Sequence, residues 1–199
     1  ILREEILKLK LNDQKKILDS VKILVLGGSQ GAKVFAEKLP YIFEQLNNNE
    51  IPIRVYQQCQ KKQNDQLSEF YKKAKIDYEI FNFTNRITNY YSKVNLVITR
   101  SGASVLGELI NFNIPFITIP LPTSADNHQY KNAEFYSKKG YGYLIEEKDI
   151  KNKLYNLVKL FFNNKSLKDN IVFKQKQRSD KDFFDKLYIQ LERLLDEKN

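Results

Sequence analysis

Short apolar runs alternate with longer stretches of helical spacing along most of the chain. Val21–Leu26 is apolar at all but one position and reads as a strand buried on both faces. A helix is predicted over 32–46, with Val34, Phe35, Leu39, Ile42, Phe43 and Leu46 on its apolar face and Asn47, Asn48 and Asn49 ending it. Next come a strand at 51–56 and a polar helix at 63–75 that turns Leu67, Phe70, Tyr71 and Ala74 inward. A short strand at 78–81, a short helix at 85–92 and a strand at 96–99 follow. Past a polar turn, spacing over 104–111 makes Val105, Leu106, Leu109 and Ile110 the candidate buried stripe of another helix. Pro115 precedes a strand at 116–119, and Pro120 and Pro122 keep 120–127 irregular. A helix at 128–139 ends at Gly140, a candidate C-cap, before a short strand at 143–145. From 149 onward the pattern is helical, with breaks near 163–164 and 179–180 and with Ser166 and Asp180 as candidate N-caps.

Strands alternating with helices through residue 145 indicate βα units and a parallel sheet. Right-handed crossovers wind such a sheet with helices on both faces. Ligands in these sheets lie outside the carboxyl ends of the strands. Function is therefore expected in the loops at 27–32, 57–62, 82–86, 100–104 and 120–128. The expected division is a connector at 1–20, an α/β domain at 21–148 and C-terminal helices packed on it at 149–199.

Composition narrows the classes. At 199 residues and 42% hydrophobic the chain can bury a real core. A single cysteine, Cys59, excludes a disulfide framework and a cysteine-based metal site. No apolar run approaches the roughly 20 residues needed to span a bilayer, and no secretory signal is evident. The net charge of +9 fits nucleic acid, anionic lipid or a phosphorylated ligand. That charge is spread along a chain rich in Lys, Asn and Ile, so no block reads as a nucleic-acid arm. The sequence contains no methionine and opens on Ile1-Leu2-Arg3, so it is expected to be a piece of a longer protein.

The candidate chemistry sits at the carboxyl edge. Gly27-Gly28-Ser29-Gln30-Gly31 leaves a strand and opens a helix, which suits either a tight βα turn or close approach of backbone to a ligand. It is not a Walker loop, because no Gly-Lys-Ser/Thr follows. The second strand ends Val55-Tyr56-Gln57-Gln58 and lacks the acidic residue that holds an NAD ribose, which lowers an oxidoreductase reading. Arg100-Ser101-Gly102-Ala103 is a second strand-to-helix turn, whose unpaired N–H groups and positive helix end favour an anion. Glu108, one helical turn further on, is either a solvated position or an acceptor for vicinal hydroxyls. Arg100 suits a phosphate contact or a structural ion pair. His128 is the only histidine, so it builds no zinc site. Cys59 has no basic partner pattern and reads as an ordinary thiol. Phe161, Phe162, Phe173, Phe183, Phe184, Leu187 and Leu191 among lysines fit amphipathic helices packed on a domain better than a nucleic-acid surface.

Three segments occur together in order: Val25-Leu26-Gly27-Gly28-Ser29-Gln30-Gly31-Ala32, Thr99-Arg100-Ser101-Gly102-Ala103-Ser104 with Glu108, and Asp126-Asn127-His128-Gln129 with Asn132-Ala133. In this combination the chain resembles the C-terminal, donor-binding half of the MurG family of bacterial glycosyltransferases. The resemblance runs from about Arg3 onward and is strongest in those motifs. It implies a GT-B fold, two Rossmann-like domains facing across a cleft, of which this chain supplies the UDP-N-acetylglucosamine (UDP-GlcNAc) domain. The expected activity is inverting transfer of GlcNAc to the lipid-linked muramyl pentapeptide, lipid I to lipid II, in peptidoglycan synthesis.

The resemblance also assigns residues. Arg3 would contact the donor diphosphate, although Ile1 and Leu2 depart from the family's Pro-containing segment. Ser29 and its loop would face the diphosphate. Phe83 and Thr84 would close around the uracil, Ala103, Ser104 and Val105 would lie under the nucleotide, and Glu108 would bind the ribose hydroxyls. His128 and Gln129 would lie beside the GlcNAc, with Gln129 on its hydroxyls. The general base and the lipid I acceptor would belong to the N-terminal domain, so no catalytic residue is expected in this chain and the chain alone is expected to be inactive. No metal or further cofactor is expected, nor a nucleic-acid partner. The full-length protein would be cytoplasmic and peripheral on the inner face of the cell membrane. Two other readings stay open: the soluble subunit of a two-chain GlcNAc transferase, and a non-catalytic nucleotide-binding module.

Overall fold

The structure, a computed structural model, describes residues 20–178, without the side chains of residues 29–32. Arg3, Asp180 and the apolar positions from Phe183 onward therefore lie outside the described residues.

The strands are β1 (Val21–Leu26), β2 (Ile53–Gln58), β3 (Asp77–Phe81), β4 (Leu96–Thr99), β5 (Phe116–Thr118) and β6 (Tyr143–Leu144). The helices are α1 (Gly28–Asn48), α2 (Asn64–Lys73), α3 (Thr88–Tyr91), α4 (Ala103–Asn111), α5 (His128–Lys138), α6 (Ile150–Asn163) and α7 (Lys165–Lys176). All pairings are parallel, in the order β3-β2-β1-β4-β5-β6. The expected doubly wound α/β sheet is present.

Alternation along β1 sorts the core into two layers. Val21, Ile23 and Val25 face a cluster with Phe35, Leu39 and Phe43 of α1, Leu67 and Tyr71 of α2, and Leu154, Val158 and Phe161 of α6. Leu24 and Leu26 face the opposite layer, with Tyr91, Leu106, Leu109 and Ile110. Successive side chains of a strand point to opposite faces, so a run apolar on both parities must be covered twice. Each fully buried side chain of this size contributes about 1.5–3 kcal/mol.

α1 begins at Gly28 rather than at residue 32, so the glycine-rich segment is the first turn of a helix and not a free loop. Gly28 turns the chain out of β1 at φ +62, a conformation that glycine adopts without strain. The C-cap expected at Gly140 takes Schellman form: Gly140 N donates to Ser137 O at 2.8 Å and Tyr141 N to Tyr136 O at 3.1 Å, with Gly140 at φ +74. Ser166 is not an N-cap. Asn164 fills that role, its Oδ1 accepting from Leu167 N at 3.2 Å while Ser166 donates to the same oxygen at 2.6 Å. α7 is tied to the domain by Gln175, whose Nε2 donates to Ile114 O at 3.1 Å and Tyr141 O at 2.7 Å.

The carboxyl edge of the sheet is held beyond the strands themselves. Arg100 N donates to Leu26 O at 3.2 Å, Ile119 N to Thr99 O at 2.8 Å and Cys59 N to Phe81 O at 3.0 Å. Functional loops thus leave from a fixed rim.

Candidate functional site

The winding reverses between β1 and β4. From β1 the chain passes to α1 on one face, and from β4 to α4 on the other. A crevice opens at such a point because the two connections diverge. Here it is a cleft of about 420 Å³. Each of the five loop regions expected to carry function supplies part of its lining: Gly27 and Gly28, then Gln58, Phe83 and Thr84, then Arg100, Gly102 and Ser104, then Leu121.

Both helices that start at the cleft are electrostatically open at that end. α1 follows Gly27 and α4 follows Gly102, neither N-cap has a side chain hydrogen bond to make, and neither first turn holds an acidic residue. The first N–H groups of a helix have no partner within it, and the helix dipole adds partial positive charge. Two such ends at one cleft suit an extended anion such as a diphosphate.

Glu108 belongs to α4 itself, one turn beyond this positive start, and lines the same cleft. It is buried, 5% exposed, which removes the solvated reading. A buried carboxylate needs hydrogen bonds to offset lost hydration. Tyr91 OH donates to Glu108 Oε2 at 2.9 Å, and both residues line the cleft.

Arg100 resolves the other way. Its Nη2 lies 2.6 Å from Glu147 Oε2, its Nη1 donates to Ile119 O at 3.0 Å and Pro120 O at 3.1 Å, and its guanidinium sits 4.8 Å from the ring centre of Phe35. It borders the cleft as a structural ion pair that fixes the rim.

Gln129 also faces the cleft. Its Oε1 accepts from Leu121 N at 3.0 Å and Ser101 N at 3.3 Å, which orients the amide. Its Nε2 makes no hydrogen bond among the described residues and is available as a donor. Asn132 Nδ2 braces the same turn by donating to Ser101 O at 3.1 Å.

The remaining candidates divide. Ser104, Val105, Phe83 and Thr84 line the cleft, with Phe83 85% exposed at its mouth and Thr84 Oγ1 accepting from Arg86 N at 3.0 Å. Ala103 is the exposed first residue of α4 and is not among the cleft-lining residues, and Ser29 lies in the first turn of α1. His128 is not brought to the cleft: it is exposed, and its Nδ1 donates to Ala125 O at 2.7 Å. Cys59 keeps an ordinary role, since burial pushes its thiol pKa up and Sγ donates to Asn64 Oδ1 at 3.2 Å. Among the described residues no group of three or more His, Cys, Asp and Glu side chains is placed to hold a metal ion. Sequence reasoning missed Gln58, Ile87 and above all Tyr91. Tyr91 reads as one more apolar helix position until Glu108 is seen beside it.

A 3-2-1-4-5-6 parallel sheet with an anion-ready crevice at its switch point defines a Rossmann-like half of a GT-B glycosyltransferase. The chain belongs to the glycosyltransferase family 28 C-terminal domain family, whose family model matches residues 22–187. It is 40% identical over 151 residues to the UDP-N-acetylglucosamine–N-acetylmuramyl-(pentapeptide) pyrophosphoryl-undecaprenol N-acetylglucosamine transferase of Pelagibacter ubique, covering 73% of this chain and 42% of the relative. The transferase of the same name from Rickettsia felis is 36% identical over 142 residues, covering 70% of this chain and 39% of the relative. The crystal structure of Acinetobacter baumannii MurG superposes with a TM-score of 0.74 at 27% identity, covering 87% of this chain and 50% of that one. The chain thus spans less than half the length of these two relatives and half of the solved structure.

Proposed function

We propose that this chain is the donor-binding half of an enzyme that transfers GlcNAc from UDP-GlcNAc to the lipid-linked muramyl pentapeptide, converting lipid I to lipid II. The observation that carries the reading is the cleft at the β1–β4 switch point, lined by two open helix starts and by buried Glu108, in a chain 40% identical to a transferase of that name. In this reading Glu108 accepts from the ribose hydroxyls. Phe83 and the backbone at Thr84 enclose the uracil, and Ser104 and Val105 lie under the nucleotide. The diphosphate rests against the starts of α1 and α4, joined by Arg3. Gln129 donates through Nε2 to the sugar.

The acceptor's sugar hydroxyl attacks the anomeric carbon on the face opposite UDP. The new glycosidic C–O bond forms as the C–O bond to the β-phosphate breaks, and UDP leaves with that electron pair. The hydroxyl proton passes to a base on the acceptor-binding half. Negative charge grows on the diphosphate during this step, and preorganised N–H groups stabilise it without reorganisation. The acceptor is a lipid, so the complete enzyme works as a peripheral protein at the inner face of the cell membrane. No described helix is long and apolar enough to cross one.

Calorimetric titration of the chain with UDP-GlcNAc, UDP-glucose and ADP tests the proposal. UDP-GlcNAc is expected to bind most tightly and ADP not at all. Equal binding of ADP and UDP-GlcNAc, or none of either, would overturn it. Turnover of lipid I by this chain alone would overturn the division of labour between the halves.

A further inference from the structure

Glu108 can serve a diol only if its carboxylate is held in one plane. Helix α4 sets its backbone, yet the terminal torsion of a glutamate is broad, so the plane of the carboxylate is set by the groups that bond to it. Tyr91 is one such group. It ends the short helix α3, is 1% exposed, and packs its ring 5.2 Å from that of Phe112, which follows α4 directly. The ring is therefore fixed against the same helix that carries Glu108. Its hydroxyl donates to Oε2 at 2.9 Å from a position that also lines the cleft. A hydrogen bond from a rigid, buried donor to an ionised acceptor is stronger and more directional than one to water.

We infer that Tyr91 is a positioning residue for nucleotide selection: by holding Oε2 it orients the Glu108 carboxylate toward a vicinal diol, and so sets the preference for ribonucleotides over deoxyribonucleotides. The inference rests on the reading of Glu108 as the ribose ligand. Tyr91 contributes without touching the reacting atoms. Because the donor is already ordered, binding does not have to freeze it, which is how preorganisation raises affinity. A mobile carboxylate would still accept a hydrogen bond from one hydroxyl. It would meet both poorly, and the gap between ribose and 2′-deoxyribose would shrink.

The test is calorimetric binding of UDP and 2′-deoxy-UDP to the chain as it stands and to Tyr91→Phe. This substitution removes one oxygen and keeps the ring that packs on Phe112. The unaltered chain is expected to prefer UDP. In Tyr91→Phe, UDP binding is expected to weaken by about tenfold, the scale of one charge-assisted hydrogen bond, while 2′-deoxy-UDP binding stays nearly constant. A second variant separates positioning from packing: once Glu108→Gln is present, adding Tyr91→Phe is expected to change UDP affinity less than twofold. The inference is overturned if Tyr91→Phe weakens both nucleotides equally, if it leaves the UDP preference intact, or if its effect persists undiminished in the Glu108→Gln background. Failure of the unaltered chain to bind UDP would overturn the donor-site reading itself, a result distinct from each of these.

Discussion

Arg100 Nη2 and Glu147 Oε2 lie 2.6 Å apart and join the exit of β4 to the segment just before α6. The Arg100 side chain is only 7% exposed and Glu147 20%. Two backbone carbonyls and the Phe35 ring complete the surroundings of the guanidinium. Arg100 lines the cleft, so the pair couples the segment before α6 to its rim.

Removing one member leaves the other charge buried without its counterion. Glu147→Ala is expected to lower folding stability by about 3 kcal/mol, at the lower end for a broken buried pair because Ile119 O and Pro120 O still accept from Arg100. Urea denaturation checks this. A change in unfolding free energy below about 0.5 kcal/mol, the scale of an ordinary surface substitution, would show that the pair carries no structural load.

Gln129 separates donor from acceptor within one amide. Gln129→Glu keeps an oxygen for Leu121 N and Ser101 N and replaces the cleft-facing Nε2 with a second oxygen. UDP-GlcNAc affinity is expected to fall by at least about tenfold with the urea midpoint unchanged. Gln129→Ala is expected to lower both, since two backbone donors lose their partner. Equal affinity for Gln129→Glu and the unaltered chain would remove Gln129 from the sugar contact.

Tyr90 gives the fold a pH dependence of definite sign. Its hydroxyl donates to Glu79 Oε1 at 2.8 Å and its ring stacks on Phe81 at 4.2 Å. Burial, then the hydrogen bond to Glu79, push its pKa from 10.0 up to about 12. Below pH 10 the phenol is neutral whether the chain is folded or not, and its contribution is complete. Between 10 and 12 the unfolded chain ionises first, so stability falls as pH rises. Tyr90→Phe cannot ionise and is expected to flatten part of that decline in urea midpoints measured across the window. Identical slopes for the two proteins would assign the decline to other groups.

Much of the fold was legible because the chain repeats one physical pattern. β1 and β4 have the bounds that their apolar runs predict, since strands covered on both faces read as unbroken hydrophobic stretches. The loops of the site followed from strand polarity alone. Glycines mark a turn in sequence, so the pattern predicts α1 only from residue 32, whereas one positive φ suffices and the helix begins at Gly28. Asn164 and Ser166 are both capping types, and only geometry shows which oxygen meets Leu167 N.

The amino-acid sequence by itself determined the α/β class and the family resemblance, and pointed to the carboxyl edge and to Glu108 as the place to look for a ligand. Local pattern is enough for these, since each depends on neighbours in the chain. Tertiary structure decided the states of the polar side chains. Glu108 became a buried acceptor because Tyr91, distant in sequence, points its hydroxyl at it. Arg100 became structural because Glu147 and the β5 exit reach it first. His128 and Gln129 are adjacent in sequence, yet helix geometry turns one outward and the other into the cleft. A charged or polar group's role is set by the partners that burial brings to it, and those partners come from remote segments that no local pattern encodes.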